Sequence, residues 1–186
     1  MRKLFIIFFF LIIGIAPLKA ATVEEVTSIF PEGQALCAAA LKKCEFRAVD
    51  FNFPNAFNHF GTITIMSGAY DNLTKDEVRA VLYHEVAHSI LNHNQRSLDI
   101  INGFRATYGR EPTPDELQVM RHRFEKDADL VAMAMLHWMK KPLVLDDALL
   151  KLGAIAGTKQ SSTHPSIQDR VNALRRMQEV YGWSKY

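Results

Sequence analysis

Within "VLYHEVAHSILNH" (81–93), His84 and His88 stand four residues apart and Glu85 directly follows the first, in a run that is otherwise almost entirely apolar. On a helix that spacing projects both imidazoles from one face on successive turns, where they can hold one zinc ion. Glu85 lies about 100° further round the axis and reaches a water beside the metal rather than the metal itself, which is the place of a general base. Val81, Leu82, Val86, Ala87, Ile90 and Leu91 crowd the three polar residues. Unpaired histidines and a glutamate in such surroundings are costly, and a metal relieves that cost.

A catalytic zinc needs a third protein ligand and an open position. The pattern HExxHxxGxxH would supply a third histidine, but Leu91 and Asn94 occupy its glycine and histidine places, and His93 is one residue out of register. His93 is therefore expected at the surface or behind a ligand. The third ligand is expected from "FEKDAD", where Glu125 and Asp129 lie four apart and share a helix face. Glu125 then ligates, and Asp129 hydrogen-bonds a ligating imidazole from the adjacent turn. Two imidazoles and one carboxylate in an open site favour zinc, one ion per chain. His59, His122 and His137 lack metal spacing and are expected to be structural or exposed.

Positioning these residues requires helices. Thr74 with Glu77 forms a capping box that starts a long helix from about Lys75 to Leu98, broken by "INGFRATYGREPTP". Thr113 and Pro114 start the next, which runs to about Lys140 and carries Glu125 and Asp129. Further helices are expected over 32–43 and 145–152 and from about Pro165, where Ile167, Val171, Leu174 and Met177 make one apolar stripe. The aromatic and β-branched content of 46–53 and the alternation of "TITIMS" (62–67) predict strands, joined through the turn-rich "PNAFNHFG". The Thr62–Ser67 strand, half exposed and just ahead of the metal helix, is expected to pair with an extended substrate. The class is α+β, mostly helical with a small sheet beside the helix of His84, Glu85 and His88.

The N-terminus bears on location. "MRKLFIIFFFLIIGIAPLKAA" has a basic start, an apolar stretch and small residues, and reads as a secretory signal peptide cut near Ala20, leaving one domain over 21–186 that carries the candidate zinc ligands. Leu18 stands where a small residue is usual, so an uncleaved N-terminal membrane anchor is the alternative. No cysteine follows the apolar stretch to accept a lipid. The formal charge is +2, yet Arg2, Lys3 and Lys19 all lie in this segment, and the remainder has 19 basic against 20 acidic residues, which gives no electrostatic case for nucleic acid. An apolar share of 48% suffices for a single core. Cys37 and Cys44 would be about 10 Å apart on a continuous helix, so a disulfide between them requires the chain to turn near Lys42.

In order, "NAF" (55–57), the strand ending at Ser67–Gly68, "LTKDEVRAVLYHEVAHSILNH", "EKDAD" and "THPSIQDR" resemble the gluzincin endopeptidases related to HtpX and the CAAX prenyl proteases, over roughly 55–170. The multiple membrane helices of HtpX are absent, so the chain is most similar to the small exported periplasmic members, the LoiP-like branch. The resemblance implies zinc on His84, His88 and Glu125, Glu85 as catalytic base, Asp129 behind a ligand, and His164, Arg170 and Asn55 toward the substrate or its oxyanion. Where that family often has Pro-Gly-Gly after NAF, this chain has "NHFG". The implied activity is zinc-dependent endoproteolysis of exported, unfolded or misassembled polypeptides in the periplasm, with secretion or membrane anchoring as alternatives. Two other functions suit the same residues: a zinc-containing chaperone-like or adaptor module that does not cut, against which the intact Glu85 argues, and a latent protease held closed by 153–165 or by its leader.

Overall fold

The computed structural model describes residues 19–156 and 165–185. Its elements are α1 (Val23–Ser28), α2 (Phe30–Ala39), β1 (Glu45–Val49), β2 (Ala56–His59), β3 (Thr62–Met66), α3 (Ser67–Tyr70), α4 (Lys75–Ile90), α5 (His93–Tyr108), α6 (Pro114–Trp138), α7 (Leu145–Ala156) and α8 (Ile167–Tyr181). Helices dominate and the one small sheet lies against α4, which is the expected α+β class.

Capping boxes start three of the helices. In α4, Thr74 Oγ1 accepts from the Glu77 amide while the Glu77 carboxylate accepts from the Thr74 amide at 2.8 Å, satisfying two donors that a helix end leaves without partners. Thr22 with Glu25 and Thr113 with Glu116 do the same for α1 and α6.

Every residue of α4 from Glu77 to Ala87 is buried. A helix enclosed all round must be the centre of its domain, and α4 packs against α2, α6, α7 and the sheet. Its buried charges are paired. Arg79 Nε donates to Glu32 at 2.9 Å, the Tyr83 hydroxyl donates to the same carboxylate at 3.0 Å, and Lys151 of α7 donates to Glu77 at 2.8 Å. These bonds tie α2 and α7 to the central helix.

The sheet order is β1-β3-β2, with β3 parallel to β1 and antiparallel to β2. The Thr62–Ser67 expectation is thereby corrected: Thr62–Met66 is the central strand, with Ile63, Thr64 and Ile65 all buried, and its backbone is paired on both sides. The free edge beside α4 belongs to β2, inside the stretch expected to be only a turn. Phe60 and Gly61 join β2 to β3 with φ of 47° and 87°, the pair of positive angles that a two-residue type I′ hairpin demands. At Gly68 a Cβ would lie 2.4 Å from the Phe53 backbone, so the segment entering β2 crosses there only because the side chain is missing.

Two helix boundaries also differ from expectation. The helix expected over 75–98 breaks at Asn92, which adopts φ 58° and ψ 35°. The next helix, α5, runs on through Gly103 to Tyr108 before the left-handed Gly109 ends it. After α2 the chain turns, Leu41 taking φ 56°, and a Cys37–Cys44 disulfide joins the helix to the approach of β1 with Cα atoms 6.1 Å apart.

Candidate metal centre

Two imidazole nitrogens and the two oxygens of one carboxylate, from two neighbouring helices, converge beside the middle of α4. His84 Nε2 and His88 Nε2 are 3.1 Å apart, Glu125 Oε2 of α6 is 3.3 Å from the first, and Glu125 Oε1 is 3.4 Å from the second. His84 and Glu125 are buried, and His88 is only partly exposed. Metal bonds of about 2.0–2.1 Å at tetrahedral angles separate their donor atoms by about 3.3 Å. Each imidazole thus has the other imidazole and one carboxylate oxygen at the spacing of neighbouring zinc donors, with one ligand atom from each residue lying within 4.8 Å of the others, and the donor set is the borderline one zinc takes. Two imidazoles and a carboxylate leave the fourth corner open.

Behind this triangle stands an ion-pair chain. His84 Nδ1 lies 2.9 Å from Asp129 Oδ1, one turn along α6 from Glu125. Arg170 of α8 in turn grips Asp129 with two bonds, Nε to Oδ2 at 2.8 Å and Nη2 to Oδ1 at 2.6 Å, and its Nη1 is 3.4 Å from Glu125. All of these groups are nearly inaccessible. Bidentate pairing of this kind fixes the carboxylate plane, and through it the ring of His84.

The electrostatics follow from burial and neighbours. Burial alone would lower His84, but hydrogen bonds donated to Asp129 and Glu125 outweigh it and raise its pKa to about 10. His88 goes the other way, to about 3, first through burial and then through the charge on His84. Burial opposes ionisation of Asp129, yet the Arg170 charge holds it down at about 2. The site thus presents one imidazole backed by a permanent carboxylate and one that stays neutral.

Glu85 is buried on the same helix, one residue past His84. Its backbone carbonyl accepts at 2.8 Å from Asn58 Nδ2 of β2, which also donates to Ser89 Oγ. Asn58 Oδ1 accepts from the Gly61 amide at 3.1 Å and from Asn94 at 3.3 Å. Asn58 thus pins the β2–β3 hairpin to the turn of α4 that carries Glu85. Sequence reasoning missed this residue; its signal is the alternation of "AFNH", in which Ala56 and Asn58 face inward.

The remaining expectations fall as follows. Arg170, expected to pair with an acid or to reach a substrate carbonyl, is buried and paired with the acid Asp129, because an unpaired carboxylate there would be far costlier than a paired one. Asn55 sits at the entrance to β2, where its carbonyl accepts from the Met66 amide at 3.1 Å. His164 lies outside the described residues. His93 is buried against His88, while His137 stacks on Trp183 and His59 is exposed. Among the described residues no helix is long and apolar enough to cross a membrane.

A search of the curated proteins returned no match. The family model described as Peptidase family M48 matches residues 20–108, which include the sheet and the His84–His88 helix and stop short of Glu125.

Proposed function

We propose that this chain, whose residues 20–108 match the model of Peptidase family M48, a family of metallopeptidases, is a zinc-dependent endopeptidase acting on exported proteins that are unfolded or misassembled. The observation that carries the reading is the His84, His88 and Glu125 triangle at zinc dimensions, with Glu85 on the same buried helix. Residues 1–20 act as the export signal, and the domain from Ala21 works in the periplasm.

His84, His88 and Glu125 hold the metal, and Asp129 with Arg170 keeps the His84 ring turned toward it. The chemistry a bound zinc supplies is polarisation of the scissile carbonyl and acidification of a water. Glu85 takes the proton of the attacking water and passes it to the leaving amine, so one carboxylate serves as base and then acid. His164 donates to the oxygen that gains charge at the scissile carbon. The outer edge of β2 offers unpaired backbone groups to an extended peptide, and Asn58 keeps that edge alongside the Glu85 turn. Backbone pairing of this kind recognises unfolded chain with little regard to sequence.

The test is metal content and casein cleavage for wild type and Glu85→Gln side by side. We expect one zinc per chain in both and chelator-sensitive cleavage only in wild type. Zinc in both with cleavage by neither would turn the reading toward a binding module.

A further inference from the structure

His88 needs a partner of its own, and the break in the metal helix supplies one. On an unbroken helix His93, five residues past His88, would lie about 140° around the axis and could not face it. Asn92 instead takes the left-handed conformation, which asparagine tolerates better than most residues. The chain turns back, and His93 Nδ1 comes to 2.9 Å from His88 Nδ1. The His93 ring is 3% exposed and stacks on Phe124, with ring centroids 4.3 Å apart and planes within 10°. Arg96 lies over the Phe124 ring as well, 4.9 Å from its centroid. Phe124 immediately precedes Glu125, so a single stack carries both the neighbour of His88 and the approach to the third ligand.

Proton placement on the two rings is constrained. His88 Nε2 faces His84 and Glu125, and a nitrogen that ligates a metal must present its lone pair. The proton of neutral His88 is then on Nδ1, where the acceptor within reach is His93 Nδ1. We infer that His93 is a positioning residue: it accepts from His88 Nδ1–H, fixing the ring and the tautomer of the second zinc ligand as Asp129 does for the first. This rests on the zinc-peptidase reading. It also gives the centre two unlike supports, a carboxylate behind His84 and a neutral imidazole behind His88. The reverse tautomer, with His93 as donor, would put the His88 proton on Nε2 and block ligation.

The variants that separate positioning from packing are His93→Gln, which keeps an acceptor, and His93→Phe, which keeps an aromatic ring against Phe124 and loses the acceptor. Zinc dissociation constants come from competition with a chromogenic chelator, and fold from urea unfolding of the metal-free proteins. We expect His93→Phe to bind zinc about 10- to 100-fold more weakly and His93→Gln to recover most of that loss. Long-range nitrogen–proton NMR of zinc-loaded wild type should show His88 protonated at Nδ1 and His93 at Nε2, a readout that needs no variant to fold. Undiminished affinity in a folded His93→Phe, equal loss in both variants, or the opposite tautomers would overturn the inference. Wild type that takes up no zinc would overturn the metal reading itself, and is told apart because no substitution is involved.

Discussion

Replacing Arg170 with methionine removes the cation that holds Asp129 while keeping an unbranched apolar side chain of similar reach. Two charge-assisted bonds of 2.6 and 2.8 Å disappear, and Asp129 and Glu125, both buried, lose their shared counter-charge. Stranding a buried charge in this way costs about 3–5 kcal/mol, at least about a fifth of the roughly 5–15 kcal/mol that holds a domain together. The assay is urea unfolding of metal-free protein followed by far-UV circular dichroism, which isolates the ion pair from any contribution of zinc. Arg170→Met should unfold at a clearly lower urea concentration. Adding Asp129→Asn should restore part of the loss, since the amide oxygen still accepts from His84 Nδ1 and the charge at position 129 is gone. A midpoint equal to that of wild type, or a double variant showing the plain sum of two single losses, would refute the account of Arg170 as the anchor of Asp129.

Two further outcomes follow from the same geometry. Asn58→Ala removes the donor to the Glu85 carbonyl and the acceptor of the Gly61 amide, so kcat/KM for peptide cleavage should fall about tenfold, the equivalent of one lost net hydrogen bond, while zinc stays at one per chain; unchanged kcat/KM would count against the edge strand. His88 and His93 are bases held neutral, at about 3 and about 4 against an ordinary 6.5. The unfolded chain therefore binds their protons first as pH falls, and the stability present above pH 6.5 is lost progressively toward pH 4. Urea midpoints of metal-free protein across that range would show it, and a flat profile would contradict the burial of the two rings.

The helices that carry chemistry were legible because their starts are written in local residues: Thr74 with Glu77, and Thr113, Pro114 and Glu116. The spacing of His84, Glu85 and His88, and of Glu125 and Asp129, then needed only the helical period. What escaped was set by contacts distant in sequence or by a single backbone angle. β2 is four residues long and half polar, and reads as a turn until β3 pairs with it. Asn92 ends α4 without a glycine or proline to announce it, whereas Gly103, which should weaken a helix, lies within α5 on an open face where nothing crowds it. Arg170 sits off the apolar stripe of its helix, and the sequence leaves open which acid or carbonyl it meets. Its burial depends on Asp129, 41 residues away.

That last distance matters for a chain made from one end. The HExxH helix emerges well before Asp129, and Asp129 before α8, the last described helix and the source of Arg170. Until α8 docks, the carboxylate behind His84 lacks the two-bond grip of Arg170 that fixes its plane. The centre therefore matures only after α8 has been made. A nascent copy that lacks α8 carries His84, His88 and Glu125 without the frame that sets their geometry.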